Sequence, residues 1–104
     1  MTSPGDFYAF SNPVFDGANA TRLGSIQVSC VAAAKAKVSK APVVCHGAAA
    51  LNDGTLFIQA YVKGEQNVVT GAITGGTGAY VGARGNFTST STKTGANDVV
   101  TLLP

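Results

Sequence analysis

The chain has 104 residues, room for one hydrophobic core, and is read as a single domain over 1–104. Its 7 Lys and Arg against 5 Asp and Glu leave a net charge of +2, too little for a surface that binds nucleic acid by releasing counterions. With 13 Gly, 4 Pro, one Met and no Trp, the composition excludes a helical bundle and predicts strands and turns.

The first predicted strand runs from Phe7 to Phe15 and ends at the turn pair Asp16-Gly17. Before it, Met1 to Gly5 has neither the basic nor the apolar stretch of a leader. No apolar run nears the ~20 residues of a membrane-spanning helix, so no membrane partner is expected. The next strand places Ile26, Val28, Cys30 and Ala32 on one face. Lys35, Lys37 and Lys40 before Pro42 read as a solvated hairpin tip, and centring a hairpin there sets Cys30 opposite Cys45.

Asp53-Gly54 is a strong two-residue turn signal, and a hairpin centred on it pairs Leu51 with Leu56, Ala49 with Ile58, Gly47 with Ala60 and Cys45 with Val62. The turn Gly64-Glu65-Gln66-Asn67 then pairs Val62 with Val69, Ala60 with Gly71 and Ile58 with Ile73. One face of these strands is therefore dry throughout. The other carries Ser25, Gln27, Ser29, His46, Thr55, Gln59 and Lys63, mixed with Phe57, Tyr61 and Val68.

Two further strands are predicted, Arg84 to Lys93, ended by Thr94-Gly95-Ala96-Asn97, and Val99 to Leu103. Phe87, with Val100 and Leu102 across from it, is expected to join the dry face. Thr88, Thr90 and Thr92, with Thr101 opposite, form a row on the other face that reads as solvent-facing strand. No amphipathic helix is available to cover the dry face, so the sheet must fold onto itself. The expected fold is a small antiparallel up-and-down β-barrel of about seven to eight strands. Seven strands leave a gap or two free edges, which a missing strand or a partner would cover.

The chemistry this sequence offers is sparse. Asp16, Asp53, Glu65 and Asp98 fall in predicted turns and Asp6 precedes the first strand, so paired acids inside a barrel are not expected. The one His, His46, has Ser29 and Gln59 as expected neighbours and reads as a surface residue. Two Cys and one His do not make a metal site, because Cys45 and His46 point to opposite faces. Cys30 and Cys45, opposite one another, are expected to form a disulfide, and with it an oxidising compartment; two buried thiols in a cytoplasmic barrel are the alternative. Small residues on the dry face leave room for an apolar ligand against Ile26, Val28, Leu56, Ile58, Val69, Ile73 and Phe87, or else allow a narrow barrel to close.

The most specific string is Gly75-Gly76-Thr77-Gly78-Ala79-Tyr80-Val81-Gly82-Ala83-Arg84-Gly85, read as a Gly-rich connection between two strands. A Thr-rich strand follows it, whereas phosphate-cradling loops need a helix there. As structure, its glycines allow positive φ at a barrel rim, Tyr80 plugs the barrel end and Arg84 bonds loop carbonyls. A catalytic role for Tyr80 and Arg84 is the alternative.

This string resembles the Gly-Gly-Thr-Gly-x-Tyr/Phe-x-x-Ala-Arg-Gly signature of the allene oxide cyclase barrel and dirigent-like superfamily. Gly5-Asp6, Asn12-Pro13-Val14-Phe15-Asp16, Leu23-Gly24 and Leu51-Asn52-Asp53-Gly54 extend the resemblance over most of the chain, from Gly5 to Leu103. It implies a cofactor-free cyclase or isomerase that binds and orients a small apolar substrate derived from a lipid, polyketide or phenolic by confinement. The first-strand residues that carry plant allene oxide cyclase chemistry have no counterpart here, so a non-catalytic barrel that binds a small hydrophobic ligand, or a secreted structural module, is the alternative. The resemblance also implies a homo-oligomer, a dimer or trimer, and Phe57 and Tyr61 are the expected interface.

Overall fold

Period-two patterning with no helical stretch produces seven β-strands: β1 (Phe7–Phe15), β2 (Arg22–Ala32), β3 (Pro42–Leu51), β4 (Gly54–Lys63), β5 (Val68–Gly78), β6 (Gly85–Thr92) and β7 (Gly95–Leu102). They are drawn from a computed structural model that describes residues 6–17, 21–32, 42–63, 67–93 and 95–104. The segment Met1 to Gly5, the expected tip at Lys35, Lys37 and Lys40, Gly64 to Gln66 and Thr94 lie outside these residues.

Every strand is antiparallel to its sequence neighbours, and the sheet order is β1-β2-β3-β4-β5-β6-β7. The sheet curls so that odd and even positions of each strand separate into a concave and a convex face, within extents of 39 × 30 × 20 Å. β1 and β7 are not paired with each other, so the all-β fold is an open, half-closed barrel.

The expected strand pairing holds across β2 and β3, where Cys30 faces Cys45, Val28 faces Gly47 and Ile26 faces Ala49. Between β3 and β4 the pairing differs by two residues: Ala49 faces Leu56, Gly47 faces Ile58 and Cys45 faces Ala60. The turn is made by Asn52-Asp53, and Gly54 already belongs to β4. Glycine is required at 54 by β5, because a Cβ there would press on the Thr77 carbonyl oxygen. A slip of two preserves the faces, since side chains alternate with period two.

Ile58 faces Ile73 as expected, but the β4–β5 register then shifts at Phe57/Ile58, so that Phe57 faces Gly75 and Leu56 faces Gly76. The Gly-rich string therefore starts as strand. β5 continues to Gly78, because a bulge admits residues with poor strand propensity where the opposite strand supplies the side chains. β7 likewise begins at Gly95, pairing Asn97 with Thr90 and Asp98 with Ser89, so Asp98 lies in a strand and not in a turn. The ladder offered by the threonines of β6 overrides weak local propensity.

Two clusters make the core of the concave face: Leu56, Ala60, Ile73 and Phe87, and Cys30, Ala32 and Val43. Val62 packs against both. The ring of Phe87 lies over Gly71, where a Cβ would come within 2.6 Å of its Cζ. The space left by that small residue is thus filled by its neighbour on β6. Val100 and Leu102 share the face with Phe87 but remain 45% and 44% exposed, because among the described residues no strand lies beyond β7.

Candidate functional site

The concave face is closed by packing at β4 to β6 and open towards both ends of the sheet. Leu56, Ile73 and Phe87, three of the seven residues expected to meet a ligand, are buried in the core cluster. Ile26, Val28, Ile58 and Val69 are half-buried. β1 extends this floor, because Tyr8 faces Cys30, Phe10 faces Val28 and Asn12 faces Ile26. Tyr8 and Phe10 are 54% and 45% exposed, an aromatic lip along an apolar trough. Sequence reasoning missed this lip: Phe7-Tyr8-Ala9-Phe10 is apolar at every position, so it shows no period that separates one face from the other.

At one rim of the trough the β3–β4 turn meets the loop after β5. The amide of Ala79 donates to the Asp53 carbonyl at 2.9 Å, and the Tyr80 hydroxyl donates to Asp53 Oδ1 at 2.8 Å. Tight turns follow, with the Tyr80 amide on the Thr77 carbonyl at 3.1 Å and the Ala83 amide on the Tyr80 carbonyl at 2.9 Å. Gly78 and Gly82 adopt φ of 63° and 79°, the positive values expected of glycines at a rim. The Tyr80 ring packs against the Leu56 cluster, so its hydroxyl is held in place from both ends. The hydrogen bond to Asp53 raises the Tyr80 pKa above its ordinary value of 10.0, with burial and the Asp53 charge adding to it.

Arg84 is placed differently from Tyr80. Its Nη2 donates to the carbonyl of Pro104 at 2.7 Å, and its own carbonyl accepts from the Leu103 amide at 2.8 Å, so it ties the segment after β7 to the start of β6. Asp53 was not singled out as a partner for Tyr80. The pairing of Gly54 with Gly78, followed by the loop's tight turns, brings positions 53 and 80 together.

Two of the depressions in the surface lie away from the middle of the trough. One, of about 260 Å³, lies at the rim between Leu23, Leu51, Asn52, Asp53 and Tyr80. The other, of about 330 Å³, is shallow, with Val44, Tyr61 and Ala72 in its lining. On the convex face Gln27 donates to Ser11 Oγ at 3.0 Å and to Ser25 Oγ at 2.9 Å, and His46 sits between Ser29 and Gln59 as the sequence predicts.

Cys30 and Cys45 form a disulfide with Cα atoms 4.1 Å apart. The Ala32 amide bonds to the Asp6 carbonyl, so alternate residues of β2, Cys30 among them, spend their backbone groups on β1. Towards β3, Cys30 and Cys45 are then a non-hydrogen-bonded pair, where opposite side chains lie closest. Among the described residues no three His, Cys, Asp or Glu gather as metal ligands, and no helix is long and apolar enough to cross a membrane.

No protein-family model matches the chain, and no curated protein matches it in sequence. Among solved structures, one named pyocyanin demethylase is similar in fold, with a TM-score of 0.82 over 99% of this chain and 84% of that chain. At 22% identity the likeness establishes a related small β-barrel fold.

Proposed function

We propose that the trough binds a small apolar molecule, laid against Phe10, Ile26, Val28 and Ile58 and orientated by the curl of the sheet. The observation that carries this reading is the half-buried apolar floor continuing into the exposed Tyr8 and Phe10 lip, on a face whose other half is already packed. Apolar surface of this kind gains free energy by covering, at about 25 cal/mol for each Å² removed from water. Asn12, opposite Ile26, is a polar group placed to select among apolar ligands.

A second reading, a cofactor-free cyclase or isomerase of the allene oxide cyclase and dirigent-like kind, is favoured by the Tyr80 motif and by the enzyme name of the structural neighbour. In that reading Tyr80 and Arg84 are the catalytic groups. The hydrogen bonds that Tyr80 and Arg84 already make support structural work, which puts binding ahead of catalysis. A homo-oligomer and an oxidising, extracytoplasmic setting complete the proposal, the latter from the Cys30–Cys45 bridge.

The test uses the absence of tryptophan from the chain. Ile58→Trp places a single indole in the trough and fills it. The unsubstituted protein is expected to take up the apolar dye 1-anilinonaphthalene-8-sulfonate, and the folded variant to bind it at least tenfold more weakly. A folded variant that binds the dye unchanged removes the trough as the site.

A further inference from the structure

The last strand presents an edge with open backbone groups. The Leu103 amide bonds to the Arg84 carbonyl at 2.8 Å, and Gly85 faces Leu102 in the same register. Hydrogen-bonded pairs alternate along an antiparallel ladder, so Gly95, Asn97, Val99 and Thr101 spend their backbone groups on β6. Ala96, Asp98, Val100 and Leu102 therefore point their N–H and C=O groups at the open edge.

That edge carries one guard, the charged Asp98, and is otherwise open. None of the four residues is proline or lysine, no register break interrupts the β6–β7 pairing, and all of β7 is exposed. The opposite edge is guarded: on β1 the outward-facing positions are Phe7, Ala9, Ser11 and Pro13, which has no N–H to offer, and the register breaks between Val14 and Phe15.

The exposed area is large enough to accommodate a second copy. The chain exposes 6717 Å². A compact monomer of 10.4 kDa exposes about 5,400 Å². The excess of about 1,300 Å² is larger than the ~800 Å² that each partner contributes to a standard interface.

We propose that β7 pairs antiparallel with β7 of a second copy about a two-fold axis through Val99, joining two half-barrels into one continuous sheet. This rests on the homo-oligomer reading and places the interface at β7 instead of at Phe57 and Tyr61. In this register Asp98 lies opposite the partner's Val100 and Ala96 opposite the partner's Leu102, so all four edge-facing residues are paired. Sliding the strands to set Asp98 opposite the partner's Asp98 brings two carboxylates together and leaves an edge residue unpaired. Val99, 63% exposed on the convex face, meets the partner's Val99 at a non-hydrogen-bonded pair. Cys30 and Cys45 occupy the same kind of pair inside one chain, with Cα atoms 4.1 Å apart.

The test is mass by sedimentation equilibrium, with four samples compared. The unsubstituted protein is expected at twice 10.4 kDa. Val100→Pro removes one edge-facing N–H without touching the β6 ladder, and is expected to weaken the dimer at least tenfold. Val99→Cys is expected to form a covalent dimer in air, which reports the axis even if the proline variant fails to fold. Tyr61→Glu, on the convex face, is expected to stay dimeric. A monomer at all concentrations overturns both the homo-oligomer and this interface. A dimer that Tyr61→Glu dissociates, and in which Val99→Cys fails to cross-link, overturns this interface alone.

Discussion

Tyr80 and Asp53 show how one hydrogen bond joins two parts of the chain that the sequence keeps apart. Asp53 holds the rim loop by its carbonyl, through Ala79, and by its carboxylate, through Tyr80. Removing the hydroxyl in Tyr80→Phe is expected to cost about 1 kcal/mol at neutral pH, the ordinary worth of such a bond. The raised pKa adds a pH dependence whose sign is definite. Above pH 10 the unfolded chain gives up the phenolic proton before the folded one does. The contribution is therefore fully present below the unfolded pKa and is lost as pH rises through the folded one. Denaturation of the native protein and of Tyr80→Phe between pH 8 and 11 measures this. The difference between them is expected to shrink above pH 10, and a constant difference removes the explanation.

At the scale of the strand, the two faces of a backbone differ in protection. On β1, Tyr8, Phe10 and Asn12 bond to β2, while Phe7, Ala9 and Ser11 turn their amides outward. Hydrogen exchange at single-residue resolution is expected to alternate along β1, with slow amides at 8, 10 and 12 and fast ones at 7, 9 and 11. Uniform protection shows β1 to be paired on both sides. On β7 the alternation depends on the two-fold pairing, so amides at 96, 98, 100 and 102 are protected in the dimer and exchange freely once Val100→Pro has dissociated it.

For the whole molecule, a small open sheet has little buried core to draw on, and its buried apolar residues fall in two clusters bridged by Val62. The Cys30–Cys45 bridge matters more for that reason. It closes a loop with a sequence separation of 15, worth about 3 kcal/mol through the unfolded chain. Reduction is expected to lower the Tm by on the order of 15 °C in a domain this size. In the native, unreduced protein both cysteines are expected to resist alkylation, and full alkylation of the pair contradicts the bridge.

What the sequence by itself determined is the alternation of faces. Period-two patterning places Ile26, Val28, Cys30, Leu56, Ile58, Ile73 and Phe87 on one side in any register that differs by an even number of residues. The facing of Cys30 and Cys45, the seven strands and the positive φ of Gly78 and Gly82 were legible for the same local reason. Tertiary structure decided what depends on two distant segments meeting. Gly54 looked like a turn residue because Asp-Gly favours turns, yet it serves the close approach of Thr77 on β5. The Gly75–Gly78 stretch looked unfit for a strand, and became one because Phe57 and Leu56 face it across a bulge. Phe87 filled the space above Gly71, which no pattern within either strand specifies. Whether a curled sheet closes on itself depends on where its first and last strands come to lie, a sum of twists over seven strands that no local residue encodes.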